Sequence, residues 1–220
     1  MSAAIIFDMD ELLVDSKPIW RAAESALFES MGHRYDEQTA RIYKGKNAFD
    51  VAAALHALLR PPGEVAGYQQ IMRLALLDEY AKGQIVPMDG AVEMVRRLHG
   101  VAPMAVASGS PLEGIELAMG RLGIRQCMGA IVSSESVPRG KPHPDVFLKA
   151  ADLLGAAPRD CLVFEDSITG VRAALAGGMK VFAVPSLSGT GLEQVATRTF
   201  GSLRHVTVED VREALGQMAA

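Results

Sequence analysis

At 220 residues the chain falls between one and two domains of about 150 residues each, which fits one core carrying one sizeable insertion. Its hydrophobic share of 49% and charged share of 22% match ordinary globular usage and exclude a disordered, collagenous or low-complexity chain. The net charge of -4 supplies no broad positive field for nucleic acid or an anionic lipid surface, so a small polar or anionic partner reached through a local site is expected.

The first predicted element is a strand, Ala3-Ala4-Ile5-Ile6-Phe7, an apolar run of the kind buried on both faces. It runs straight into Asp8 and Asp10, with no basic leader and no small-residue cleavage pattern. No stretch approaches the roughly eighteen consecutive apolar residues of a membrane span, and a cytoplasmic protein is the expectation.

Residues 17–84 then read as helix. Trp20, Ala23, Leu27 and Met31 share one helical face, and Ala52, Leu55 and Leu59 share another. Pro61-Pro62-Gly63 stops that helix, and a third pattern runs to Lys82. This segment is predicted to be a helical lobe, 17–84, too small to stand alone, lying over a core made of residues 1–16 and 85–220.

Across the rest of the chain, apolar runs alternate with helical patterns. The runs are Pro103 to Ala107, Ala130 to Val132, Cys161 to Phe164 and Lys180 to Val184. Between them Ala91, Met94, Val95 and Leu98 recur at spacings of three and four, and Asp145 to Leu154 forms a second pattern. This alternation predicts an α/β fold with a doubly wound parallel sheet. With aromatics at only 5%, its core must be aliphatic. Cys127 and Cys161 stand apart without a second pair, as buried thiols of a reducing compartment do.

In an open parallel sheet, ligands bind where the strands end at their carboxyl side. Four of the five predicted strands end there in chemically pointed residues: Asp8 and Asp10, then Ser108-Gly109-Ser110, then Lys141, then Glu165-Asp166. A carboxylate can attack phosphorus while a second carboxyl protonates the leaving oxygen and then activates water. Hard oxygen ligands gathered from two strand ends suit magnesium.

Each feature also has an ordinary reading. An Asp-x-Asp pair marks turns and helix starts, and Asp166 with Ser167 reads equally as a helix cap. Ser110 and Glu113 fit a capping box with Pro111 at the first helical position. That reading is compatible with an anion site made by the free N–H groups there and the Ser108 hydroxyl. Lys141 precedes Pro142, which biases it to an extended backbone. A lysine presented in this way can stabilise a transferring phosphoryl group, whereas a lone loop lysine is ordinarily solvated surface. Tyr43-Lys44-Gly45-Lys46-Asn47 puts two cations and a flexible glycine between two helical patterns, as a solvated loop or as a handle for a second anionic or hydroxyl-rich group.

Phe7 to Ser16, Val106 to Ser110, Gly140 to Asp145, and Val163 to Ser167 with Gly170 together resemble the four ordered motifs of the haloacid dehalogenase-like superfamily. Within it, the chain looks most like the sugar-phosphate phosphatase and beta-phosphoglucomutase branch, with a helical cap inserted after the first motif. The resemblance implies Asp8 as the phosphorylated nucleophile and a magnesium ligand, and Asp10 as general acid and base with its backbone carbonyl on the metal. It implies Ser108 and Lys141 on the phosphoryl oxygens, alongside Gly109 and Ser110, with Asp166 and Glu165 on the metal. Lys44 and Gly45 match a Lys-Gly of the mutases, and Lys17 and Lys82 to Met88 are the expected hinges.

Three positions depart from the family pattern. Glu11 stands where Gly is usual, and an added carboxylate there would repel phosphate or bond to the cap. Lys17 replaces a common acid and is a candidate partner for Glu11. Trp20 stands where the mutases carry a His, which tilts the expectation toward hydrolysis. The expected function is a magnesium-dependent phosphatase acting on a small sugar or sugar-alcohol phosphate, as a monomer or weak homodimer. A phosphosugar mutase and a catalytically silent phosphate-ligand binding protein are the alternatives.

Overall fold

The computed structural model describes residues 3–41, 43, 45–185 and 191–216. Strands form at all five expected runs: β1 (Ala4–Phe7), β2 (Met104–Ser108), β3 (Ala130–Ser133), β4 (Cys161–Glu165) and β5 (Lys180–Ala183). A sixth, β6 (Arg198–Thr199), joins at the edge. Two polar residues leave no periodicity to read, and β6 exists because Phe182 and Ala183 of β5 offer it a partner. All pairings are parallel, in the order β3-β2-β1-β4-β5-β6, which is the doubly wound order with its crevice at the carboxyl ends.

The helices are α1 (Lys17–Ser30), α2 (Glu37–Arg41), α3 (Ala48–Leu59), α4 (Val65–Lys82), α5 (Ala91–Leu98), α6 (Leu112–Arg121), α7 (Asp145–Leu153), α8 (Ile168–Ala176) and α9 (Val208–Ala214). None among the described residues is long and apolar enough to cross a membrane.

Successive strand residues point to opposite faces, and this splits the core in two. Ala4, Ile6, Val163 and Val181 pack with α7 and α8 on one face. Ile5, Phe7, Phe164 and Phe182 lie on the other face, in a cluster that also takes Ile19 and Leu27 of α1 and Met72, Leu76 and Tyr80 of α4. The helical segment thus shares its apolar cluster with the sheet. The rings of Phe7 and Phe164 stack at 4.9 Å, and Phe182 meets Phe164 edge-on at 5.6 Å. Burying a side chain of this size contributes about 2–3 kcal/mol.

In α4 the residues Tyr68, Met72, Leu76 and Tyr80 are buried at four-residue intervals, and α4 packs on α1, α3 and α6. Its approach to α6 depends on Gly114, because a Cβ there would lie 2.8 Å from the Tyr80 ring. The two connections between sheet and helical segment run side by side. Asp15 N–H donates to the Val86 carbonyl at 2.9 Å, and Met88 N–H donates to the Leu13 carbonyl at 3.1 Å.

The expected capping box at Ser110 and Glu113 does not form. Helix α6 begins at Leu112, with Pro111 as a cap that makes no side-chain bond. The Ser110 hydroxyl donates instead to Asp10 at 2.9 Å, and Glu113 pairs with Arg73. A half-buried carboxylate without donors costs more than an uncapped helix start, which takes the hydroxyl away from the helix.

Candidate active site

Strand β1 ends at Phe7, and the Asp8 N–H extends the ladder by donating to the Phe164 carbonyl at 3.0 Å. Asp8 is therefore held at the carboxyl edge between β2 and β4. Lys141 arrives from the loop before α7 and is itself buried. Its ammonium donates to Asp8 Oδ1 and to Glu165 Oε1, both at 2.6 Å, and lies 4.7 Å from the Phe147 ring centroid. The ordinary reading of a lone loop lysine as solvated surface does not hold for Lys141.

Glu165, at the end of β4, is fully buried. Its second oxygen accepts the Ser167 N–H and hydroxyl, both at 2.9 Å. This carboxylate occupies the space where a side chain at Gly170 would be, so only glycine fits that position. Ser167 also caps α8 by accepting the Gly170 N–H. The capping reading of this motif is correct for Ser167, and it coexists with the charge cluster.

Ligand oxygens of Asp8, Glu165 and Asp166 lie within 4.8 Å of one another, all on buried residues. Three carboxylates therefore cluster beside one ammonium, which bonds two of them. Burial alone would pull the Lys141 pKa down, but the Asp8 and Glu165 carboxylates outweigh it and hold the lysine charged. Burial pushes the Asp8 carboxyl well up, and Glu165, Asp10 and Asp166 add to the rise against the pull of Lys141. The cluster is short of positive charge and rich in hard oxygen donors, which fits a divalent cation such as magnesium. Asp8 and Asp166 could hold such an ion, while both Glu165 oxygens already accept hydrogen bonds.

Asp10 takes donors on both oxygens. Tyr80 Oη at 2.7 Å and Trp20 Nε1 at 2.9 Å donate to Oδ1, while the Ser108 and Ser110 hydroxyls donate to Oδ2 at 2.8 and 2.9 Å. Ser108 and Ser110 are fully buried, and the Ser110 N–H donates to the Ser108 hydroxyl at 3.0 Å. The Ser108 hydroxyl, expected together with the free N–H groups of the α6 start to form an anion site, is turned to the Asp10 carboxylate in this structure. Gly109 remains on the wall of the cleft, against which Asn47 Cα would lie 3.1 Å from an added Cβ.

Asp8, Asp10, Lys141 and Asp166 open on one cleft of about 310 Å³. Trp20, Glu24 and Tyr35 line its other side, and Gly45 closes it against the start of α8, with no room for a side chain beside Thr169. Gly45 has φ +81°, which favours glycine. Lys44 lies outside the described residues. Glu11 has φ +59° and its carboxylate accepts the Lys17 backbone N–H at 2.8 Å, so the expected contact between them is made to the main chain at the start of α1.

Sequence reading missed Tyr80 and the direct bond from Trp20, because both sit in apolar helical stripes that read as core. No local signal distinguishes a tyrosine whose hydroxyl ends at a carboxylate from one that only packs.

The fold and this cluster define a hydrolase of the doubly wound α/β class. The sequence model of the haloacid dehalogenase-like hydrolase family matches residues 3–178, and the chain belongs to that family. The fructose-1-phosphate phosphatase of Escherichia coli K12 is 34% identical over 181 residues, covering 80% of this chain and 93% of that protein. Hexitol phosphatase B of the same organism is 31% identical over 187 residues, covering 83% of each. The crystal structure of beta-phosphoglucomutase from Clostridium difficile has a TM-score of 0.84 at 19% identity, over 99% of this chain and 98% of that one, which is a likeness of fold.

Proposed function

We propose that this protein is a magnesium-dependent phosphatase of small sugar or sugar-alcohol phosphates, acting through an aspartyl-phosphate. The observation that carries the reading is the pair of aspartates on one cleft, Asp8 clamped by Lys141 and Asp10 oriented by four donors. Its relatives named for fructose 1-phosphate and hexitol phosphates support the substrate class.

With Oδ1 of Asp8 anchored by Lys141, Oδ2 is the atom that attacks phosphorus. Lys141 stays charged and offsets the negative charge of the phosphoryl oxygens. Asp10 passes its proton to the leaving oxygen, then takes one from water as that water attacks the aspartyl-phosphate. Its four donors fix the direction of the carboxylate for both transfers. Asp8 and Asp166 would hold a magnesium ion, which would supply charge neutralisation and alignment of the phosphate. The cleft volume stands at the low end for small-molecule sites, in keeping with a metabolite rather than a polymer.

The test is phosphate release from a panel of sugar, polyol, glycolate and nucleotide phosphates, with magnesium and with chelator, beside Asp8→Asn. Magnesium-dependent release, absent from the variant, is the expected result. Full activity in Asp8→Asn would overturn the reading. Conversion of a sugar 1-phosphate to its 6-phosphate with little free phosphate would replace it with a mutase.

A further inference from the structure

The cleft extends beyond the two aspartates along α1, and that extension holds chemistry the hydrolytic step does not use. Trp20 and Glu24 are one helical turn apart, so they share a face of α1, and both line the cleft. Trp20 is tied to Asp10, the group that meets the leaving oxygen. At 1.5 Å per residue, Glu24 lies about 6 Å further along the helix axis, the reach of the distal carbons of a short sugar or polyol chain.

Tyr35, from the segment between α1 and α2, lines the cleft beside Glu24. The Arg21 guanidinium lies over the Tyr35 ring, 5.5 Å from its centroid. Burial pushes the Glu24 carboxyl up to about 7, while the nearby Tyr35 hydroxyl works against that rise. A carboxylate offers about four acceptor positions, and substrate hydroxyls would supply the donors that burial denies it. Among the described residues lining the cleft around this extension, Glu11, Glu24 and Glu37 stand against Lys17, Arg21 and Lys46, so the wall carries no excess of positive charge for a second phosphate.

We infer that Glu24 and Tyr35 form the specificity-determining subsite for the leaving group, selecting the monophosphate of a neutral, hydroxyl-rich molecule over an ester with a second anionic group. This rests on the phosphatase reading above. The alternative is a purely structural tie that pins the loop after α1.

The experiment compares kcat/KM for a hexitol monophosphate, a ketohexose bisphosphate and para-nitrophenyl phosphate, which has no aliphatic hydroxyl, in native, Glu24→Gln, Tyr35→Phe and Glu24→Lys proteins. The native enzyme is expected to prefer the hexitol ester to the bisphosphate by at least tenfold. In Glu24→Gln and Tyr35→Phe the ratio of hexitol to para-nitrophenyl ester falls tenfold or more, mainly through KM. In Glu24→Lys the preference between monophosphate and bisphosphate narrows or reverses. Ratios that stay within twofold of native in all three variants overturn the inference, whether the rates themselves fall together or not at all.

Calorimetric binding of the hexitol phosphate to Asp8→Asn, with and without Glu24→Gln, reads the same subsite without turnover. A tenfold rise in Kd supports the subsite even if the native protein releases no phosphate, and an unchanged Kd overturns it. Failure of the phosphatase reading therefore registers separately.

Discussion

Single residues at this site carry costs that only their neighbours explain. Glu11 holds a backbone conformation that glycine adopts more easily, a strain of order 1–3 kcal/mol. Its carboxylate offsets this by receiving the first N–H of α1. Glu24 shows a different balance. Its carboxyl sits at about 7 in the fold against 4.5 for the free group, so between these values the folded protein keeps a proton that the unfolded chain has lost. Stability must therefore fall as pH rises from about 4.5 to about 7, by about 3 kcal/mol from this group. Thermal melts of native and Glu24→Gln across this window test it: the variant should gain on the native protein as pH rises. A difference in Tm that does not change with pH would refute the assignment.

Among the elements, α4 does most to connect the helical segment with the chemistry. Its buried stripe ends in Tyr80, which reaches Asp10, and the helix terminus is gripped by Arg121 of α6. The Arg121 guanidinium donates to the carbonyls of Tyr80 at 2.9 Å, Ala81 at 2.6 Å and Gly83 at 2.8 Å. These are carbonyls that a helix end leaves without internal partners. Arg121→Ala should lower the free energy of unfolding by about 1.5–3 kcal/mol and reduce kcat more than it raises KM, since Tyr80 would lose its fixed place over Asp10. Urea unfolding with steady-state kinetics checks both parts, and an unchanged midpoint would show the grip to be solvated and idle.

For the molecule as a whole, the controlling quantity is the charge gathered at the carboxyl edge of the sheet. Asp8, Glu165 and Asp166 meet there from β1 and β4, with Lys141 as their internal cation. A divalent ion binding only the folded state raises stability by RT ln(1 + [L]/Kd), about 2.7 kcal/mol at a hundredfold excess over Kd. Magnesium should accordingly raise Tm and a chelator reverse it, while Asp166→Asn should lose most of the rise. Equal shifts in native and variant would place the ion elsewhere.

The α/β class, the five main strands and the meeting of Asp8, Lys141 and Asp166 were all legible in the amino-acid order. Apolar runs ending in reactive residues report the carboxyl edge of a parallel sheet directly, because strand periodicity and loop chemistry are local properties. The partners of Asp10 were not legible. Trp20, Tyr80, Ser108 and Ser110 come from two helices, a strand end and a loop, up to 100 positions away, and Trp20, Tyr80 and Ser110 each have an adequate local role as core residue or cap. Which role prevails follows from burial: once Asp10 is enclosed, leaving its oxygens without donors costs more than any cap or rotamer preference gains. The same competition moved Ser110 away from α6, an outcome that follows from packing helices and sheet against one another.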